Sequence, residues 1–192
     1  MSEVVLVRHG ETEWTKTGQH TGTTDIDLTP VGRAQAERLG SVLDAWSFAS
    51  TLTSPLRRAA DTCRLAGHAD ADVREDLAEW SYGAYEGRTT ALIRAERPGW
   101  SLWRDGAPGG ETPEQIADRV DRIIAEVRST RGNVALFAHG HLLRVLAARW
   151  VGLPAACGAL LALHPASVSV LGHERETAVI VSWNLDYASI GH

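Results

Sequence analysis

The stretch Val4-Val5-Leu6-Val7-Arg8-His9-Gly10-Glu11 decides the fold of this chain. Its first four residues are apolar and mostly β-branched, and such a run is typical of a strand that is buried on both faces. The run leads directly into Arg8 and His9 and then into a glycine turn. Ligands of open α/β sheets bind beyond the carboxyl ends of the strands. Arg8 and His9 are therefore the first candidate site residues.

A second stretch, Val134-Ala135-Leu136-Phe137-Ala138-His139-Gly140-His141, repeats the pattern of an apolar strand that ends in His-Gly. A helix is predicted to begin near Leu142. Parallel strands end at the same edge of their sheet, so the two His-Gly pairs would place two imidazoles at one edge. Between the two stretches, Ser54-Pro55 indicates the start of a further helix, and Arg58 lies in its first turns.

Strand and helix patterns alternate along the chain. Thr29-Pro30 and Thr112-Pro113 indicate helix starts, and the second of these helices has one apolar side. Residues 12–28 are polar and predict a long functional loop. The remaining predicted elements are strands at 48–53, 72–77, 167–171 and 178–183 and a helix at 89–97. This alternation predicts an α/β fold, a three-layer α/β/α sandwich with a mostly parallel central sheet.

The length of 192 residues is typical of one domain, and we expect residues 1–192 to form it. Residues 80–111 are rich in tryptophan, glycine and proline, and only a short helix is predicted within them. We expect a short covering segment at about 80–111, of which residues 98–111 are expected to be loose.

The overall charge bears on the class of partner. The formal net charge of −5 at pH 7 argues against binding to nucleic acid, because such binding requires a basic face. No apolar run has the length of a membrane span. Cys63 and Cys157 are too few for a disulfide framework and fit no metal-ligand spacing. Because Met1-Ser2-Glu3 leads directly into the first strand, a signal peptide is not expected, and the sequence predicts a cytoplasmic enzyme.

Four motifs together resemble one known family. Arg8-His9-Gly10-Glu11, the run from Ser54 to Thr62, Leu77-Ala78-Glu79 and His139-Gly140 follow the order of the histidine phosphatase superfamily, also called phosphoglycerate mutase-like. The chain looks most similar to its small broad-specificity and acid phosphatases. The resemblance implies a phosphomonoester hydrolase that forms a phosphohistidine on a small phosphorylated metabolite, with sugar phosphates among the candidates. It implies no cofactor and no metal ion.

The resemblance also assigns the catalytic residues. His9 matches the family's nucleophile, His139 the residue that stabilises the transferring phosphoryl group, and Glu79 the general acid and later general base. Arg8 and Arg58 match the phosphate-binding arginines. The residue types suit these roles, because phosphoryl transfer needs positive charge around three oxygens and arginine donates two hydrogen bonds to a phosphate.

Further residues are expected to bind the substrate. Thr15 stands where many members have asparagine, and its hydroxyl is expected to donate one hydrogen bond to phosphate. Thr21 and Gly22 match a Ser/Thr-Gly pair that touches substrate, and Gly140 follows the second catalytic histidine.

Three residues are candidates for specificity. His20 precedes the Thr-Gly pair where an aromatic residue is common in the family. Trp80, beside Glu79, is expected to form an apolar wall, and Trp103 lies in the covering segment.

Other interpretations stay open at this point. Cofactor-dependent phosphoglycerate mutases resemble the chain, but they carry a longer insertion after the acid, with basic and tyrosine residues that close over a bisphosphate. Residues 80–111 are short by comparison and lack a Lys/Arg-Arg-Tyr cluster. A metalloenzyme could use His139 and His141 as ligands. A non-catalytic module that binds phosphorylated ligands would be expected to have lost His9 or Glu79. A homodimer is compatible with the sequence, with Trp150 and Trp183 as candidates for its interface.

Overall fold

The computed structural model describes residues 2–186 of the chain. The predicted domain of residues 1–192 extends beyond this range at residue 1 and at residues 187–192, which lie outside the described part. The strands are β1 (Val4–Arg8), β2 (Phe48–Thr53), β3 (Asp72–Val73), β4 (Asn133–Ala138), β5 (Val168–Glu174) and β6 (Thr177–Leu185). Over residues 2–186 they form one six-stranded sheet in the order β3-β2-β4-β1-β5-β6.

The helices alternate with the strands. They are α1 (Glu13–Thr17), α2 (Pro30–Leu43), α3 (Arg57–Leu65), α4 (Thr90–Glu96), α5 (Leu102–Asp105), α6 (Pro113–Ser129) and α7 (Gly140–Trp150). The threonine-proline starts predicted for α2 and α6 are confirmed. Thr29 accepts a hydrogen bond from the Gly32 amide, and Thr112 accepts one from the Gln115 amide.

The strand register brings the predicted site residues to one edge. β1, β4, β2, β3 and β6 run in the same direction, and β5 is antiparallel to them. Arg8 pairs with Ala138, and Thr53 pairs with Phe137. His9 and His139 therefore leave neighbouring strands at the same carboxyl edge.

The apolar strands are buried on both faces. Val4 and Leu6 of β1 contribute to one hydrophobic cluster, together with the inner residues of α6 and α7. Val5 and Val7 contribute to a second cluster with α2 and α3. Alternate residues of a strand point to opposite faces, so each face is covered by a helical layer. The predicted three-layer α/β/α sandwich with a mostly parallel sheet is confirmed.

The covering segment at residues 80–111 packs into the core, including residues 98–111, for which the sequence predicts a loose structure. Trp80, Tyr82, Trp100 and Leu102 are all buried in the same cluster as α6 and α7. Indole N–H groups fix the segment further, since Trp80 donates to the Glu111 carbonyl and Trp100 donates to the Gly106 carbonyl, each at 2.9 Å. The expectation failed because buried aromatic rings stabilise a segment that has little regular structure.

Other local differences are smaller. Residues 12–28 contain α1, whose start is fixed by reciprocal bonds between Thr12 and Thr15. α7 begins at Gly140 instead of near Leu142. Trp150 is 3% exposed and therefore does not lie on an accessible interface. Within residues 2–186, no helix is both long and apolar enough to cross a membrane.

Candidate active site

His9 lies at the end of β1 and is 3% exposed. Its Nδ1 lies 2.8 Å from the Gly10 carbonyl oxygen. A carbonyl can only accept, so Nδ1 carries the proton and Nε2 keeps its lone pair. Burial and the charges of Arg58 and Arg8 hold the pKa of His9 well below its usual value. The ring is therefore neutral at pH 7, with Nε2 free to act as a nucleophile.

The turn after His9 is fixed by close contacts. The Gly10 amide donates to the Thr62 hydroxyl at 3.1 Å, and that hydroxyl donates to the Arg58 carbonyl at 2.7 Å. A Cβ on Gly10 would lie 2.4 Å from the Gly32 carbonyl oxygen. Only glycine fits here, because α2 approaches the turn backbone directly.

His139 faces His9 from the end of β4. The ring centroids are 5.2 Å apart. Nε2 of His139 lies 2.7 Å from the Ser54 hydroxyl oxygen, which also accepts from the Leu56 amide at 3.2 Å. Burial and the charge of Arg58 hold the pKa of His139 well below its usual value. In the sequence, Ser54 is a helix-start signal and the first residue of the Ser54–Thr62 motif, and the structure brings it into direct contact with the site.

Arg58 is fully buried in the first turn of α3. Its two terminal nitrogens donate to the carbonyls of Thr21, Gly22 and Thr24 at 2.9 to 3.0 Å. These bonds orient the guanidinium from behind. Burial lowers its pKa, while Glu79 raises it.

Arg8 passes close to the start of α7. Its Nη1 donates to the Leu163 carbonyl, and a Cβ on Gly140 would lie 3.2 Å from its Cζ and Nε atoms. Gly140 thus leaves room for the guanidinium. Burial lowers the pKa of Arg8 to about 10, so the side chain stays charged at pH 7.

Three nitrogens of these side chains are buried and have no hydrogen-bond partner within residues 2–186. They are Nε of Arg8, Nε of Arg58 and Nδ1 of His139. Leaving a buried polar group unpaired is costly. Three such groups around His9 and His139 therefore indicate a site that binds an anionic oxygen.

Glu79 is 6% exposed and lies at the start of α7. Its Oε1 accepts from the amides of Trp80 and Leu142 at 2.9 Å each, and its Oε2 accepts from the His141 amide at 3.1 Å. A carboxylate has about four acceptor sites. One site on Oε2 is thus left for a proton.

These residues line or underlie a cleft of about 240 Å³. Its wall is formed by Arg8, His9, Trp14, Thr15, Gly18, Gln19, His20, Thr21, Glu79, Tyr82, Thr90, Gly140, His141, Arg144 and Leu163. Arg58, His139 and Gly22 are not part of the wall but lie beneath it.

Thr15 lines the cleft, yet its hydroxyl donates to the Thr12 carbonyl at 2.8 Å. A hydroxyl has one proton, so in this arrangement none is left for a phosphate oxygen. Its predicted bond to phosphate would require rotation of the side chain and stays a prediction.

Thr21 and Gly22 contribute through their backbone. Their carbonyls accept from Arg58, and the Gly22 amide donates to Oε1 of Glu86 at 2.8 Å. The Thr24 amide donates to the same oxygen at 3.1 Å. Glu86, which sequence analysis did not single out, therefore closes the loop that holds Arg58.

The three specificity candidates have different surroundings. His20 lines the cleft, with Nε2 at 3.2 Å from the Thr90 hydroxyl and its ring 4.8 Å from that of Tyr82. Trp80 and Trp103 do not line the cleft. Trp80 is fully buried, because its indole packs into the core behind Glu79.

Arg144 and Tyr82 lie on the cleft wall but were not among the site residues predicted from the sequence. His141 also lies on the wall, and the sequence suggested it only as a metal ligand. Arg144 lies four residues after Gly140, one helical turn along, and that spacing was the available signal. Within residues 2–186, no three His, Cys, Asp or Glu side chains are grouped so that they could hold a metal ion.

Comparison with known proteins identifies the family. The family model described as "Histidine phosphatase superfamily (branch 1)" matches residues 4–186. The chain belongs to this superfamily. It is 43% identical over 185 residues to an acid phosphatase of Mycobacterium tuberculosis, covering 92% of this chain and 91% of that protein. It is also 39% identical to the sedoheptulose 1,7-bisphosphatase of Saccharomyces cerevisiae, over 78% of this chain and 67% of the relative.

Solved structures agree with this assignment to the superfamily. The structure of an open reading frame of Mycobacterium tuberculosis superposes with a TM-score of 0.93 at 39% identity, covering 96% of this chain and 98% of that one. A mycobacterial glucosyl-3-phosphoglycerate phosphatase solved with VO3 superposes with a TM-score of 0.85 at 31% identity, covering 96% and 99%.

Proposed function

We propose that this chain hydrolyses phosphomonoesters of small metabolites, sugar phosphates in particular, through a phosphohistidine at His9. One observation carries the proposal. The unprotonated Nε2 of His9 belongs to a cluster in which Arg8, Arg58 and His139 each keep a buried nitrogen that has no hydrogen-bond partner in the described part of the chain. A nucleophile beside unpaired cationic and N–H groups suits attack on a phosphoryl group.

In the first step, Nε2 of His9 attacks phosphorus and the bond from phosphorus to the ester oxygen breaks. The Nε atoms of Arg8 and Arg58 stabilise the negative charge on the equatorial oxygens. Within residues 2–186 the Ser54 hydroxyl has no other acceptor, so it donates to Nε2 of His139. The proton of His139 then lies on Nδ1, which has no partner in that range, and this N–H donates to the phosphoryl group.

Glu79 moves the protons. The free acceptor site on Oε2 holds the proton that passes to the departing ester oxygen. In the second step, water attacks phosphorus and gives a proton back to Glu79. The bond from phosphorus to nitrogen breaks, its electron pair returns to His9, and inorganic phosphate leaves.

The wall of the cleft favours hydrolysis over the mutase reaction. From residues 80–111 only Tyr82 and Thr90 reach the wall. None of the arginines of that segment is part of the wall, and two of them form ion pairs elsewhere, Arg88 with Glu96 and Arg104 with Asp105. Without a basic cover, water can enter the cleft and compete with a second substrate for the phosphoenzyme. The presence of both His9 and Glu79 in the cleft argues against a non-catalytic binding module.

Relatives support the substrate class. The names of two similar proteins specify a sedoheptulose bisphosphate and a glucosyl phosphoglycerate, and both are phosphorylated sugar derivatives. The neutral polar residues Gln19, His20 and Thr90 on the cleft wall suit hydroxyl groups of such a leaving group.

The proposal extends to cell location and assembly. Cys63 and Cys157 are both free thiols, which agrees with a reducing cytoplasm. We treat residues 1–192 as one functional domain. For a homodimer, the proposed contact is β6, which pairs only with β5 among the described strands and exposes Val181. Light scattering would then give twice the mass of a single chain.

The covalent step is tested by rapid quenching without acid after mixing with 32P-labelled substrate. We expect an alkali-stable, acid-labile phosphoprotein in the wild type, and loss of both label and turnover in H9A. Label that persists in H9A would remove His9 from the role of nucleophile. A phosphoglycerate substrate that is isomerised without release of phosphate would favour the mutase.

A further inference from the structure

We propose that the cleft contains a second subsite, formed by Arg144 and the Tyr82–His141 pair, which binds an anionic group of the substrate remote from the transferred phosphoryl group. The inference rests on the proposed phosphatase function and specifies the chemical class of its substrates. They are phosphomonoesters that carry a second anion, either a carboxylate or another phosphate.

Arg144 is a half-buried cation on the cleft wall. Its Nε donates to the Gly158 carbonyl at 3.0 Å, and its Nη2 donates to the Ala159 carbonyl at 3.2 Å. In the described part of the chain, no carboxylate forms an ion pair with it. Eight other arginines do form such pairs, namely Arg57, Arg64, Arg74, Arg88, Arg104, Arg119, Arg122 and Arg149.

The guanidinium of Arg144 is held in place by aromatic stacking. Its Cζ lies 4.5 Å from the ring centroid of Trp103, at a distance suited to a cation–π contact. The ring of Trp103 also lies 5.2 Å from that of His141. Trp103 is therefore a positioning residue, which acts on specificity through Arg144 and His141 and not through the cleft wall itself.

Tyr82 determines the tautomer of His141. Its hydroxyl oxygen lies 2.6 Å from Nδ1 of His141, and no other acceptor for that hydroxyl is found in residues 2–186. The hydroxyl stays protonated, because burial and the charge of Glu79 raise the pKa of Tyr82. It donates to Nδ1, and the proton of His141 lies on Nε2. His141 thus supplies the cleft with a neutral N–H donor.

The position of Arg144 separates this subsite from the phosphoryl pocket. Arg144 lies one turn after Gly140 on α7, and helical side chains lean toward the helix N-terminus. Its side chain therefore reaches back to the cleft beside the pocket that Arg8 occupies. A partly buried guanidinium that forms no ion pair within residues 2–186, next to a neutral N–H donor, recognises an anion better than a hydroxyl group.

The test compares substrates that differ only in the remote group. 3-Phosphoglycerate and glycerol 3-phosphate differ by a carboxylate, and fructose 1,6-bisphosphate and fructose 6-phosphate differ by a second phosphate. We expect the wild type to have a kcat/KM at least tenfold higher for the anionic member of one pair. In R144Q the kcat/KM for that anionic substrate should fall about 10- to 100-fold, the range of one charge-assisted contact. The kcat/KM for p-nitrophenyl phosphate should change less than threefold.

Two further arginine variants, R149Q and R144K, serve as controls. R149Q removes a cation on the same helix, whose partner is Asp121 outside the cleft, and should keep the wild-type preference. R144K keeps the charge without the planar guanidinium and should keep part of the wild-type preference for the anionic substrate.

The outcomes separate this inference from the proposed function. Hydrolysis of all four esters without a preference for the anionic member would overturn the subsite alone. If R144Q lowers kcat/KM equally for both substrates of a pair, Arg144 belongs to the phosphoryl pocket. Absence of any hydrolysis would overturn the phosphatase, and calorimetric binding of each pair to H9N would still decide the subsite: tighter binding of the anionic member supports it, and equal binding overturns it.

Discussion

Glu79 shows how much a single residue does in this site. Its carboxylate is the proposed proton donor, and it also accepts three backbone N–H groups, two of them from the first turn of α7. Glutamine is therefore not a neutral replacement. Its amide nitrogen would face an N–H donor, and leaving such a group unpaired costs about 1–3 kcal/mol.

The substitution E79Q should separate the proton-donating role from this structural one. An alkyl phosphate has a strongly basic leaving oxygen and needs a proton, whereas nitrophenolate departs without one. We expect E79Q to slow phosphoenzyme formation by roughly 10²–10⁴ for the alkyl ester and far less for p-nitrophenyl phosphate. Stopped-flow measurement should show a burst of one nitrophenolate per site, followed by slow turnover because water then lacks its base.

The ratio of the two esters within one variant is the control for E79Q. A displaced α7 would slow both esters to a similar extent, so an unchanged ratio without a burst would exclude Glu79 as the proton donor. The free energy of unfolding, measured in urea, reports the lost backbone bond separately.

At the scale of elements, a loop and not a helix fixes Arg58. Three carbonyls of the loop at residues 21–24 accept from Arg58, and two of its amides donate to Glu86 in the segment that follows Glu79. The carboxylate thus holds one side of the loop and the guanidinium the other. Glu86 is a positioning residue, because its hydrogen bonds reach the phosphate site through this loop.

The substitutions E86A and E86Q test this arrangement. E86A removes the acceptor of both amides, so Arg58 should lose its orientation and the inhibition constant of vanadate should rise about tenfold, the equivalent of one hydrogen bond. E86Q keeps an acceptor oxygen and removes a negative charge that acts on Arg58. Vanadate should therefore bind E86Q at least as tightly as the wild type.

The control variant for Glu86 is E96Q, on an exposed ion pair of the same segment, which should leave vanadate inhibition unchanged. If vanadate binds E86A and E86Q with equally reduced affinity, the charge of Glu86, and not its acceptor oxygen, supports the site.

For the whole molecule, the buried histidines couple stability to pH. His9 and His139 have pKa values well below the value of about 6.5 expected for the unfolded chain. Below pH 6.5 the unfolded chain binds protons that the folded protein does not. The free energy of unfolding should therefore be constant above this pH and should fall below it, by up to about 1.4 kcal/mol per pH unit for each histidine.

Urea denaturation between pH 8 and pH 5.5 measures this slope, and the range above pH 7.5 serves as the internal reference. H9N should reduce the slope below pH 6.5 by about one proton. An identical slope in the wild type and H9N would show that His9 accepts a proton in the folded protein.

The sequence by itself determined the features that depend on neighbouring residues. Thr29 and Thr112 cap helices through amides three residues away, so their pattern is visible in the chain. The apolar runs that end in His9 and His139 predicted two parallel strands and a shared edge, since burial on both faces requires such runs. The four motifs, in their order, predicted the family.

Only the tertiary structure decided which atoms of the site are free to react. Nε2 of His139 is bound by Ser54, 85 residues away, and Nδ1 is thereby left for a ligand. Trp80 lies in the core and Arg144 on the cleft wall, although both are close in sequence to catalytic candidates. The physical reason is that a hydrogen bond or a buried contact depends on which distant segments pack together, whereas a residue pattern records only what its near neighbours allow.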